Sequence, residues 1–114
     1  MEIESLIKTI IQCAYNVRMH LAAGFLEAVY QKALVIELKE KGIDAETEAP
    51  INVYYKNIVV GEFRADIIVE KKIIIELKAV QNLIPIHETQ LVNYLTATNT
   101  DHGLLINFGG ERIE

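Results

Sequence analysis

Two runs of β-branched residues stand almost back to back in the middle of this chain, and each carries one carboxylate: IVVGEFRADIIV (58–69) and KIIIELKAV (72–80). Val, Ile and Phe at this density favour extended backbone, and Glu70-Lys71-Lys72 reads as the polar tip of a hairpin. Pairing around that tip sets Val69 opposite Ile73, Ile68 opposite Ile74, Ile67 opposite Ile75 and Asp66 opposite Glu76. Directly opposed residues of antiparallel strands have Cβ atoms about 4.5–5.5 Å apart. Two carboxylates that close repel each other, and the neighbouring residues are too apolar to screen them. Either one takes a proton or a cation lies between them. Lys78, two residues beyond Glu76, projects from the same strand face. A hard cation, two carboxylates and an ammonium group make a coherent hydrolytic site. The competing reading is an ion-pair ladder in which Arg64 and Lys78 neutralise the acids.

The flanking segments carry helical periodicity. Ile3, Leu6, Ile7, Ile10, Ala14, Val17 and Leu21 predict a first helix over 2–21, interrupted by Ala22-Ala23-Gly24. A second runs from about Phe25 to Lys41 and stops at Gly42, which tolerates the left-handed conformation of a helix end. INVYY (51–55) reads as a further strand, Lys56-Asn57 as a tight turn and Gly61 as a bulge or bend. Pro85 suits the entry to a third helix carrying His87 to Thr98. LLINF (104–108) reads as a buried strand closed by Gly109-Gly110. The order α-α-β-β-β-α-β predicts one α/β domain over 1–114 with a four-stranded, mixed, mainly antiparallel sheet. The second and third helices are expected on the sheet, with the first added outside.

Composition limits the function classes. The 114 residues carry a formal net charge of −5, which argues against a domain that coats DNA by charge alone. Metal-binding carboxylates would contribute to that acidity. Cys13 is the single cysteine, so there is no disulfide framework and no cysteine zinc site, and it is expected in the core. His20, His87 and His102 are too scattered for a zinc pattern; His87 is expected as a first-turn helix residue with a hydrogen-bond partner. No apolar run approaches the roughly 20 residues of a membrane span. The start lacks the marks of a signal peptide, which points to the cytoplasm. Gly109-Gly110 lacks the lysine and following helix of a phosphate loop. Tyr54 and Tyr55 are neighbours on a strand, so at most one can serve a given surface.

The segment Asp66 to Lys78 resembles the D-x(n)-E-x-K signature of the PD-(D/E)XK nuclease superfamily, and the αβββαβ order resembles its restriction-endonuclease-like core, here with an extra N-terminal helix. GFLEAVY (24–30), RADIIVEKKIIIELKAV, HETQLVNYL and GLLINFG are similar to segments of the GxxExxY protein family. The chain ends soon after the last of these, so a short or absent edge element is expected. The resemblance implies metal-dependent phosphodiester hydrolysis of nucleic acid, DNA before RNA. It implies that Asp66, Glu76 and the Leu77 carbonyl ligate Mg²⁺ or Mn²⁺, that Lys78 assists the attacking water, and that Glu27 reaches the metal directly or through water. Gln90 and Tyr94 are similar to a Q-x3-Y element that positions site or substrate. Glu27 has a structural alternative as an exposed helix residue, and Arg64 is equally suited to an acid or a phosphate. The alternative function is a catalytically idle module of the same fold that docks a protein partner. An acidic domain this small is expected to need a second copy or another chain to grip nucleic acid.

Overall fold

A computed structural model describes residues 1–114. The elements are α1 (Ile3–His20), α2 (Glu27–Glu40), β1 (Ala45–Tyr55), β2 (Ile58–Val69), β3 (Ile73–Lys78), α3 (Pro85–Thr98) and β4 (His102–Asn107). The sheet order is β1-β2-β3-β4, with the first two pairings antiparallel and β3–β4 parallel. The α/β class, the element order and the mixed four-stranded sheet agree with the sequence reading.

Local signals explain most boundaries. α2 ends in a Schellman arrangement, with the Ile43 N–H donating to the Leu38 carbonyl and the Gly42 N–H to that of Lys39, at Gly42 φ 74°. Lys56 and Asn57 both take positive φ, 50° and 68°, as a two-residue hairpin turn requires. The β1–β2 register slips between Val53 and Tyr54, opposite Gly61, where the bend was expected. β1 starts at Ala45, earlier than its apolar run suggests. Glu46, Thr47, Glu48 and Pro50 point to solvent while Ala45, Ala49 and Ile51 are buried, and Pro50 is tolerated because β1 is an edge strand.

The sheet is covered on both faces. α1 and α2 share one core with Ile67, Ile73, Ile75 and Leu77; α3 packs Leu91 and Tyr94 on the other face against Ala49, Ile51, Ala65 and Ile74. As expected, α2 and α3 are the helices that pack directly on the sheet, and α1 is added outside them with α2 as its main partner. Its stripe of Leu6, Ile10, Cys13, Ala14 and Val17 is wholly buried, and it packs beside α2 in the main core. The buried β3 matches its apolar reading, whereas β4 is only half buried over its first four residues because it lies at an edge. That edge is partly closed by Glu114, which exchanges two backbone hydrogen bonds with Asn107. No helix is long and apolar enough to cross a membrane.

Candidate active site

The β2–β3 register is the one read from the sequence: Ile67 pairs with Ile75, Ile68 with Ile74 and Val69 with Ile73. The backbone ladder stops there, one step short of Asp66 and Glu76. On the other side of β2 the pairing also omits Asp66, passing from Thr47–Ile67 to Ala49–Ala65, and Glu48 opposite it adopts a left-handed φ of 51°. The strand turns over at this point. Ile67 faces the α1–α2 core, while Ala65, of the same parity, faces α3.

Side chains take up the backbone groups that the break releases. The Asp66 N–H donates to Glu76 Oε1 at 3.3 Å, and the Leu77 N–H donates to Asp66 Oδ2 at 2.7 Å. Gln31 Nε2, from α2, donates to the Asp66 carbonyl at 2.8 Å and to Glu48 Oε1 at 3.2 Å. Each carboxylate thus commits one oxygen to a backbone N–H, and the remaining oxygens belong to side chains within hydrogen-bonding reach of each other. Neither remaining oxygen is sealed from solvent. Neither acid is hydrogen-bonded to Arg64 or Lys78, so the ion-pair ladder does not form. The Arg64 side chain is exposed and makes no hydrogen bond.

Glu76 is only 6 % exposed. Burial, and then the charge of Asp66, push its carboxyl up from 4.5 to about 8; the Lys78 ammonium pulls only weakly the other way. At neutral pH Glu76 therefore favours its protonated form. Lys78 Nζ donates to Gln90 Oε1 across a long 3.5 Å, and Gln90 Nε2 donates to the Tyr94 hydroxyl at 3.1 Å. Burial raises the Tyr94 hydroxyl, against the pull of the Gln90 hydrogen bond.

The structure brings Asp66, Glu76, Lys78, Gln90 and Tyr94 together. No group of three or more His, Cys, Asp or Glu side chains is gathered for a metal, so Glu27 does not join the acidic pair. It is exposed at the start of α2, one turn before Gln31 and on the same helix face. Its motif partners have structural duties. Gly24 takes φ 117°, and the Tyr30 hydroxyl donates to the Ala22 carbonyl at 2.6 Å and accepts from the Phe25 N–H while its ring stacks on Phe108. Tyr30 thus finds its polar partner in the α1–α2 turn, away from the acids. His87 Nδ1 accepts the Ile84 N–H, a first-turn role as expected.

Sequence reasoning missed two polar residues. Gln31 holds the break, and its signal was its position one turn after Glu27. Asn107, fully buried, clasps Val80 just beyond Lys78: its Nδ2 donates to the Val80 carbonyl at 2.8 Å and its Oδ1 accepts the Val80 N–H at 3.0 Å. The lone amide within LLINFG was its signal.

A divalent ion suits this donor set. Mg²⁺ is commonly held by one or two carboxylates with water and substrate phosphate completing its shell. A residue's N–H and C=O share one edge of a strand, so the Leu77 carbonyl lies on the edge that Asp66 reaches.

Fold and site together define a restriction-endonuclease-like α/β domain with an acidic pair and a lysine at the break between two central strands. A family model described as the PD-(D/E)XK nuclease superfamily matches residues 4–114. The chain belongs to that superfamily. No curated protein and no solved structure matches it significantly.

Proposed function

We propose that this domain hydrolyses phosphodiester bonds of nucleic acid, DNA before RNA, with Mg²⁺ or Mn²⁺ held by Asp66, Glu76 and the Leu77 carbonyl. The observation that carries the reading is the pair of carboxylates at a broken ladder, each tied by one oxygen to a backbone N–H, with Glu76 buried beside Asp66 at an electrostatic cost. A purely structural pair has no use for that cost. Bound there, the ion would supply positive charge against the phosphate and lower the pKa of an attacking water. In the reaction, water oxygen bonds to phosphorus as the ester P–O bond breaks, and the departing oxygen leaves with a proton. Lys78 meets the non-bridging phosphate oxygens and stabilises charge there; Gln90, hydrogen-bonded to both Lys78 and Tyr94, fixes where its ammonium points. Glu27, exposed and without a structural partner, contributes through water, as the GxxExxY resemblance implies.

The test is cleavage of labelled DNA and RNA with Mg²⁺ or Mn²⁺, comparing wild type with Asp66→Ala. Wild type is expected to cut and the variant to lose most activity; equal cleavage by both defeats the assignment. A second reading, an idle module of the same fold that docks a protein, is favoured by the net charge of −5. Calorimetric titration with Mn²⁺ separates the two, because an idle site binds the ion poorly.

A further inference from the structure

A groove of about 850 Å³ runs between α3 and the arm formed by the outer halves of β1 and β2. Its size falls inside the range of about 300–1,000 Å³ usual for small-molecule sites. Asp66, Glu76 and Lys78 do not line it, but Gln90 and Tyr94 do. Those two residues join Lys78 through consecutive hydrogen bonds, so the groove and the acidic site share a wall.

The lining has a particular chemistry. Tyr54 and Phe63, 61 % and 45 % exposed, present aromatic surface from the arm. The Tyr94 ring lies 5.5 Å from Phe63, tilted by 44°. Facing them, α3 presents the imidazole of His87 and the amides of Gln90 and Asn93. No Lys, Arg, Asp or Glu lines the groove, although the chain has 11 basic and 16 acidic residues. Such a surface has nothing with which to grip phosphates by charge. It suits a flat, neutral group with a hydrogen-bonding rim, and every nucleobase is one. In a duplex the base faces are hidden by stacking, so the group it suits is an unpaired base.

We propose that the groove receives the base of an unpaired nucleotide, stacked on Tyr54 and Phe63 with its edge toward Gln90 and Asn93, and that the substrate is single-stranded or locally opened nucleic acid. This deepens the nuclease reading and rests on it.

The test measures fluorescence anisotropy of a labelled single-stranded oligonucleotide in EDTA, where no cleavage occurs. An equal-length duplex and an equal-length strand with abasic sites serve as comparisons. Wild type is expected to prefer the intact single strand over both. Tyr54→Ala and Phe63→Ala should each weaken that binding roughly five- to hundred-fold, the range for loss of one base–aromatic stack, and Tyr54→Phe should restore it. The proposal is overturned by equal binding of wild type and Tyr54→Ala, by preference for the duplex or abasic strand, or by no binding to any oligonucleotide. It is also overturned if Tyr54→Ala alters only the oligomeric state in sedimentation velocity, which would assign the face to a second copy. Cleavage with Mn²⁺ separates the two levels. Base-dependent binding without cleavage by wild type retains the groove and removes the nuclease; cleavage of single strands unaffected by Tyr54→Ala removes the groove alone.

Discussion

Replacing Glu76 by Gln should stabilise the metal-free protein above neutral pH and flatten the dependence of its stability on pH. The isostere keeps an oxygen for the Asp66 N–H and removes the titrating proton. With the Glu76 carboxyl moved from 4.5 to about 8, mainly by burial and next by the Asp66 charge, the folded protein holds a proton between those values that the unfolded chain has released. Stability therefore falls as pH rises through that window, by up to 1.36 kcal/mol per pH unit. The whole interval corresponds to about 5 kcal/mol; the open side of the site lets water screen the pair, so about half of that, ~2–3 kcal/mol, is the working expectation. For a domain of this size that is roughly 8–15 °C in melting temperature. Thermal or urea unfolding of both proteins from pH 5 to 8.5 in EDTA measures it. Wild type should lose stability steadily with rising pH, the variant should not, and the curves should diverge most above pH 8. Parallel curves would refute the claim that the buried pair is electrostatically strained. Added Mn²⁺ should narrow the gap by stabilising wild type alone, with the larger shift at the higher pH.

Three further outcomes follow from the same geometry. Binding of Mn²⁺ at pH 7 should release about one proton, because the proton held by Glu76 must leave; isothermal titration in buffers of differing ionisation enthalpy counts it, and zero release contradicts a protonated Glu76. Gly109→Ala would drive a Cβ into the backbone of Val80 and Ala79; a loss of about 1–3 kcal/mol is expected for such overpacking, and an unchanged urea midpoint would show that the tail is free to move. Asn107→Ala strips the clasp on Val80 and should cost about 1–3 kcal/mol. Because Val80 follows Lys78 by two residues, cleavage should fall further than the lost stability explains.

The hairpin register was legible because strand alternation and a three-residue polar tip leave a single pairing that buries both apolar faces. The same logic places Asp66, Glu76 and Lys78 together from the sequence. The start of β1 was not legible, since Glu46, Thr47 and Glu48 hide an edge strand whose buried members are small. Gln31 and Asn107 escaped for a common reason. Their partners are backbone groups of Asp66 and Val80, set free by tertiary bends that no local pattern announces. Glu27 marks the opposite case, where a motif singles out a residue and the fold leaves it exposed.

The break at Asp66 links architecture to chemistry. A complete ladder would satisfy the Asp66 and Leu77 N–H groups with strand carbonyls, which carry no net charge. Here carboxylates accept them instead, so the same bonds that finish the sheet also fix two acids at a set spacing and direction. Gln31 satisfies the Asp66 carbonyl from α2, and the left-handed Glu48 lets β1 pass the gap without shifting register beyond it. Preorganisation and destabilisation have one source in this arrangement. The backbone bonds prevent the carboxylates from rotating apart to relieve their repulsion, so the relief available is a proton at low pH or a cation at high pH. The site should therefore be most ready for a metal under the conditions in which the metal-free fold is weakest.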